Sequence, residues 1–164
     1  EKILELSKLE SMHEVEKSPT NLNSIIETSL NTCQEKYSHI KVNITSSLAT
    51  DIIETDDFLL EQLFTNLMEN SFKYAQNYPL NINIKSEIIP SWHIISFSDN
   101  GNGVPAGELN RIFERFFRSK AMATQEGHGL GLSLVKHIMA VHHGKVEAQN
   151  LNTGGLLIKL SFPI

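Results

Sequence analysis

One cysteine in 164 residues leaves Cys33 without an internal partner, so no disulfide framework holds this chain and its stability must come from a core. A lone thiol fits a reducing compartment. Positive charge is also scarce: 14 lysines and arginines stand against 19 acidic residues, for a net charge of −5. That balance excludes a protein that grips nucleic acid through its phosphates, which needs an excess of cations. No apolar run approaches the roughly 20 residues that cross a bilayer, and no secretory signal opens the sequence, so any membrane attachment is expected to lie outside these residues. There is no Walker lysine motif, no Gly-x-Gly-x-x-Gly fingerprint, because position 132 is Leu, and no His-Glu-x-x-His spacing for zinc. Internal repeats and low-complexity tracts are absent too.

What remains suits one compact domain with a short appendage: 40% of residues are hydrophobic against 20% charged, enough to build a core. Ile3, Leu4, Leu6, Leu9 and Met12 fall near helical spacing among Glu and Lys, as at the end of an amphipathic helix. Ser18-Pro19-Thr20-Asn21 then punctuates the chain, which places a linker at 13–19, and Thr20 or Asn21 would cap a helix carrying Leu22, Ile25, Ile26 and Leu30. Ile40, Val42 and Ile44 alternate with polar residues and predict a strand. From Asp57 to about Asn77, Leu60, Leu63, Phe64, Leu67, Tyr74 and Ala75 form one apolar stripe of a helix. Asn66, Asn70 and Lys73 lie within roughly sixty degrees of one another on the same wheel, along the border of that stripe.

Ile82, Ile84 and Ile88 predict a second strand and Trp92–Ser98 a third, with Pro90-Ser91 in the turn. Ile95, Phe97 and Asp99 share one side of the third strand, and a carboxylate on an apolar face is costly unless something hydrogen-bonds to it. Leu132–His142 reads as an amphipathic helix ended by Gly144, with His142-His143 as a helix terminus where positive charge is favourable. Val146–Ala148 and Leu156–Phe162 read as a hairpin across Asn152-Thr153-Gly154-Gly155. Strands in meander-like pairs, with helices to cover one face, predict an α/β two-layer sandwich with a mixed sheet.

The chemistry concentrates in two glycine runs, Asp99-Asn100-Gly101-Asn102-Gly103 and Gly127-His128-Gly129-Leu130-Gly131, which follow the asparagine-bearing helix. Glycines at alternate positions let a ligand approach the backbone closely, and the second run opens a helix whose free N–H groups favour phosphate. Together they describe a nucleotide pocket. Asp99 is an acceptor suited to the adenine exocyclic amine, which guanine lacks at that place; taken alone, it is also an Asp that turns the chain before Gly101. Asn70 offers a neutral amide oxygen to a Mg²⁺ shell dominated by water and phosphate, while Asn66, one turn earlier, would hold Asn70 or a bound water. Lys73 and Arg118 are candidate phosphate partners, although surface charge is the commoner role of either residue alone. Tyr74 either packs on the adenine or belongs to the core. Phe113, Phe116 and Phe117 follow helical spacing and would dock a lid, meet a partner domain or join the core. His128 touches phosphate or faces solvent.

These segments resemble one family. Leu63-Phe64-Thr65-Asn66-Leu67-Met68-Glu69-Asn70-Ser71-Phe72-Lys73-Tyr74-Ala75 resembles the asparagine box of sensor histidine kinases, the ATP-binding half of bacterial two-component systems. Asp99–Gly103 resembles their first glycine box, Ile112-Phe113-Glu114-Arg115-Phe116-Phe117-Arg118 their phenylalanine box, and Gly127–Leu132 their second glycine box. The four occur in the family's order, and the resemblance covers about residues 20–164. Residues 1–11 resemble the end of the second helix of the dimerisation and histidine-phosphotransfer domain. The acceptor histidine normally lies on the preceding helix and is therefore expected to be absent here. His13-Glu14 with Pro19 imitates the acceptor motif, but the interval to proline is six where the family has five, so His13 reads as a linker residue.

The resemblance implies a division into residues 1–17, the end of the dimerisation helix and linker, and 18–164, the catalytic ATP-binding domain. It implies a mostly antiparallel sheet covered on one face by helices, with a flexible ATP lid over Ser119–Glu126. ATP and Mg²⁺ are the implied cofactors, with Asn66, Asn70 and Lys73 catalytic, Asn70 on the metal, and the nucleotide bound by Asn66, Asn70, Lys73, Tyr74, Asp99, Gly101, Gly103, Phe113, Arg118, Gly127, His128, Gly129, Leu130, Gly131 and Leu132. Related ATPases of this fold carry Glu where Asn66 stands. An amide is a poor general base, so the resemblance implies phosphoryl transfer in preference to hydrolysis. Implied partners are the chain's own histidine domain and a response-regulator receiver domain, with no nucleic acid. The implied setting is the cytoplasmic part of a homodimeric parent in the bacterial inner membrane. Two other readings stay open: a serine-directed kinase of the anti-sigma type, against which residues 1–12 count, and a nucleotide-sensing interaction module without turnover.

Overall fold

The computed structural model describes residues 2–12, 14–120 and 127–164. A five-stranded sheet is built from β2 (Val42–Ser47), β4 (Leu80–Ile89), β5 (Trp92–Asp99), β6 (Lys145–Asn150) and β7 (Leu156–Pro163) in the order β2-β4-β5-β7-β6. β2 and β4 run parallel and every other pair is antiparallel, so the sheet is mixed as expected. Alternation along β4 buries Leu80, Ile82 and Ile84 and exposes Asn81 and Lys85. One face therefore meets the core and the other meets water.

The covering layer is made of α2 (Leu22–Lys36), α3 (Asp57–Lys73) and α4 (Gly131–Val141). α3 is central: it packs against α2, α4 and β4, and Leu60, Leu63 and Phe64 are fully buried, each contributing about 1.5–3 kcal/mol of burial. Its start is fixed by Asp56, whose side chain accepts the Leu59 N–H at 2.9 Å. α2 is capped likewise by Asn21, which accepts from Ser24 N–H. α1 (Lys2–Glu10) lays Leu6 and Leu9 into the same core and packs on α4, leaving Ile3, Leu4 and Met12 exposed.

Four sequence expectations need correcting. Ser18–Asn21 is not all punctuation: it forms β1, antiparallel to β3 (Ile52–Thr55), with Thr20 buried and its hydroxyl donating to the Thr55 carbonyl. The linker therefore ends before Ser18. α3 stops at Lys73, short of Asn77, where Tyr74 leaves helical backbone at φ −104° and ψ 14° and closes the helix with its N–H on the Asn70 carbonyl; Tyr74 and Ala75 lie past the helix end. The phenylalanine segment is a run of turns, not a helix, with Arg111, Glu114 and Phe117 N–H groups each bonded three residues back. The close of α4 belongs to His143, which takes the left-handed backbone at φ 57°, while Gly144 is small because a β-carbon there would stand 2.6 Å from the Ser161 carbonyl.

His142 differs in charge as well. It is buried, and burial holds its pKa below the ordinary value of 6.5, so it is neutral and adds no positive charge to the helix end. Its Nδ1 meets the Ile138 carbonyl at 2.8 Å and its Nε2 meets the Thr55 hydroxyl at 2.8 Å. A carbonyl only accepts, so Nδ1 carries the proton and Nε2 accepts from Thr55.

Candidate nucleotide site

α3, the end of β5 and the start of α4 converge on an open cavity of about 820 Å³, large enough for a nucleotide. Asp99 stands at its inner end. The side chain leaves the apolar side of β5 next to Phe97, which is 2% exposed, and the expected hydrogen-bond donors are there. Oδ1 accepts the Gly101 N–H at 3.0 Å and the Leu156 N–H at 3.2 Å, and Oδ2 accepts the Ser71 hydroxyl at 2.8 Å. Three donors from α3, the first glycine loop and β7 hold one carboxylate facing the cavity.

The first glycine loop is anchored at its far end by Asn150. That amide donates to the Val104 carbonyl and accepts the Val104 N–H, and Gly103 lies against it. Asn102 is tied to Gln76 and Asn100 to the main chain of Pro79 and Asn81, and Gly101, Asn102 and Gly103 line the cavity beside Asp99.

The second run, also in the cavity wall, leads into α4, whose first turn has no side-chain cap. Its free N–H groups favour an anion. Gly131 opens the helix so close to α3 that a β-carbon would stand 3.3 Å from Asn66 Oδ1 and 3.6 Å from Asn70 Oδ1. Gly129, at φ 69°, is pressed against the phenylalanine segment: a β-carbon would lie 2.6 Å from the Phe117 carbonyl, and the Gly129 carbonyl accepts the Phe116 N–H. Leu130 is buried, and the N–H of Leu134 and the Ser133 hydroxyl bond to its carbonyl. Gly127 abuts the Lys73 ammonium.

Cations gather here. Lys73 lies 5.0 Å from the centre of the Tyr74 ring, and burial and then the Arg118 guanidinium push its pKa below the ordinary lysine range. Two positive groups close enough to repel one another suit a polyanion. Glu69 also lines the cavity, gripped by Lys2 of α1 and Lys36 of α2. Burial alone would raise its pKa, but the two lysines outweigh that and hold it below 4.5.

Asn70, Lys73, Tyr74, Asp99, Gly101, Gly103, Arg118 and Gly127–Leu132, His128 included, all line the cavity. Asn66 and Phe113 do not. Asn66 is 3% exposed behind Asn70, donating to the Gln62 carbonyl and accepting from Lys2, and Phe113 packs on the core. Of the expected lid, residues 121–126 lie outside the described residues, as does His13. Sequence reasoning missed Ser71, Leu156 and Asn150. A main-chain N–H has no side-chain signature, but a serine facing the core from a helix interior is a signal, since such a hydroxyl needs a partner.

Residues 55–164 match the family described as histidine kinase-, DNA gyrase B- and HSP90-like ATPases. The chain is 35% identical over 158 residues to drug sensory protein A of Synechocystis sp., covering 88% of this chain and 24% of that protein. It is 29% identical over 168 residues to the adaptive-response sensory kinase SasA of the same organism, covering 100% of this chain and 44% of the other. It thus spans less than half the length of these relatives. Among solved structures, the catalytic domain of histidine kinase ThkA superposes with a TM-score of 0.74 at 26% identity, over 90% of this chain and 97% of that one. A mycobacterial sensor histidine kinase, MprB, gives 0.73 at 25%, over 89% and 97%. On these matches the chain belongs to the histidine kinase-, DNA gyrase B- and HSP90-like ATPase family, in the branch formed by the catalytic ATP-binding domains of sensor histidine kinases.

Proposed function

We propose that this chain binds Mg²⁺-ATP with the adenine at Asp99 and the polyphosphate between Lys73, Arg118 and the start of α4, and presents the γ-phosphoryl group to a histidine on its dimerisation domain. From there the phosphoryl group passes to an aspartate of a response-regulator receiver domain. The observation that carries this reading is the meeting, in one cavity, of a fixed carboxylate with a cationic, glycine-built helix start.

The residues fit the cofactors. Among the described residues no group of three or more His, Cys, Asp or Glu could hold a cation, so a divalent ion would share the Asn70 oxygen with phosphates and water, as Mg²⁺ prefers. When bound, the ion neutralises phosphate charge and helps polarise the group being transferred. The chain's own residues do the rest by positioning. Asp99 accepts from the purine amine. Lys73 and Arg118 balance the polyphosphate charge, and the free N–H groups of α4 accommodate the phosphates. Asn66, with its amide committed to Gln62 and Lys2, offers no base to activate water, which supports transfer over hydrolysis.

In this reading residues 1–17 are the end of the dimerisation helix and its linker, the chain from residue 18 on is the catalytic unit, and the parent is a homodimeric membrane kinase. No helix among the described residues is long and apolar enough to cross a membrane. Calorimetry with Mg²⁺-ATP, GTP and Asp99→Asn tests the site: ATP binds, GTP does not, and the substitution weakens ATP at least about tenfold. Adding the purified histidine domain tests the reaction, with acid-labile phosphate appearing on that domain and not on this chain. A folded chain that binds no ATP would leave the interaction-module reading in its place.

A further inference from the structure

We infer that Ser71 is a positioning residue for adenine selection, its hydroxyl holding the Asp99 carboxylate in the one orientation that offers a free acceptor site to the purine 6-amino group. The inference rests on the proposed adenine site at Asp99. Its own support is the unequal treatment of the two carboxylate oxygens. Oδ1 accepts two main-chain N–H groups, from Gly101 and Leu156, and each carboxylate oxygen has about two acceptor sites. Oδ1 is therefore filled by the protein. Among the described residues Oδ2 accepts only Ser71, at 2.8 Å, so one of its two sites remains, and the hydroxyl decides which one.

The identity of residue 71 agrees. It is 5% exposed and lies in the interior of α3, where alanine has the higher helix propensity and no polar group to satisfy. The Asp99 carboxylate is the side-chain partner of the hydroxyl. Ser71 also lines the cavity next to Asn70 and Asp99, and because its proton is committed to the carboxylate it presents no competing donor to the base. Main-chain donors are common to any residue after Asp99; the serine is the part of the cradle that a substitution can remove.

The test is calorimetry on the chain with Mg²⁺-ATP and with the Mg²⁺ complex of purine riboside triphosphate, which lacks the 6-amino group, for the unsubstituted chain, Ser71→Ala and Ser71→Thr. The unsubstituted chain is expected to prefer ATP by at least about tenfold, the range of a hydrogen bond to a charged group. Ser71→Ala should weaken ATP by about tenfold and purine riboside triphosphate by less than about twofold, so that selection collapses, while Ser71→Thr keeps most of it by keeping the hydroxyl. Equal weakening of both nucleotides by Ser71→Ala, or none, would overturn the positioning role. Equal binding of both nucleotides by the unsubstituted chain would instead overturn the adenine reading of Asp99 itself. Circular dichroism of each variant separates loss of fold from loss of selection.

Discussion

Gly155 lies directly against the main chain of Asp99: a β-carbon there would overlap the Asp99 carbonyl oxygen and stand 2.8 Å from its carbonyl carbon. The next residue, Leu156, gives its N–H to the Asp99 carboxylate, so the turn between β6 and β7 is part of the wall behind Asp99. Gly155 also sits at φ 102°, a backbone state that side chains rarely adopt. Gly155→Ala should cost at least about 2 kcal/mol of stability by chemical denaturation, and the folded fraction should bind ATP more weakly than the unsubstituted chain.

Gly131→Ala separates stability from binding. Alanine suits a first helical turn, but its methyl group would crowd Asn66 Oδ1 at 3.3 Å and Asn70 Oδ1 at 3.6 Å, where the proposal places metal and phosphate. Thermal stability should change by less than about 1 kcal/mol, while Mg²⁺-ATP affinity falls by about tenfold or more. Retained affinity in calorimetry would show that the asparagines yield to the methyl group.

His142 sets a pH dependence. Burial depresses its pKa below 6.5 in the folded chain, so as pH drops through 6.5 the unfolded chain takes up a proton that the folded one refuses. Stability is then fully present above 6.5 and declines below it. Buried His93 shifts in the same direction for the same reason. Denaturation midpoints should fall between pH 7.5 and pH 5.5. His142→Gln should be about 2 kcal/mol less stable at pH 7.5, having disturbed the bonds to Thr55 and Ile138, and its decline with acid should be shallower.

Lys2 ties α1 to the asparagine box through Glu69 at 2.9 Å and Asn66 at 3.2 Å. Its side chain is 41% exposed, so solvent screens the pair and Lys2→Ala should cost under about 1 kcal/mol. Faster amide exchange in residues 2–10, with the rate unchanged in β4 and β5, is the expected signature. Because Glu69 is held below 4.5, the tie persists across neutral pH and is lost in acid below that value.

Periodicity made much of the fold legible. The stripe through Leu60, Leu63, Phe64 and Leu67 marked α3, and alternation in β4 and β5 marked the strands, because burial alone dictated those residues. Asp99 was legible for the opposite reason: a carboxylate on an apolar face demands donors, and they are present. β1 was not, since Ser18-Pro19-Thr20-Asn21 has the composition of a turn and becomes a strand only through Ile52–Thr55, a partner distant in sequence. His142 was misread as a charged terminus although it falls on the face of Leu134 and Ile138, four residues apart along α4, which pointed to burial. Nor could the sequence reveal that the Gly101 and Leu156 N–H groups converge on one oxygen, because that meeting is made by the sheet.

β5 is the innermost strand of five, flanked by β4 and β7, and Asp99 is its last residue. Edge strands and chain ends can fray without disturbing that position, whereas displacing it requires the central ladder to part. A ligand gripped there is coupled to global unfolding and not to local opening. Saturating nucleotide should accordingly raise the melting temperature of the domain as one cooperative unit and slow exchange at the deepest amides, making the whole sheet a reporter of occupancy.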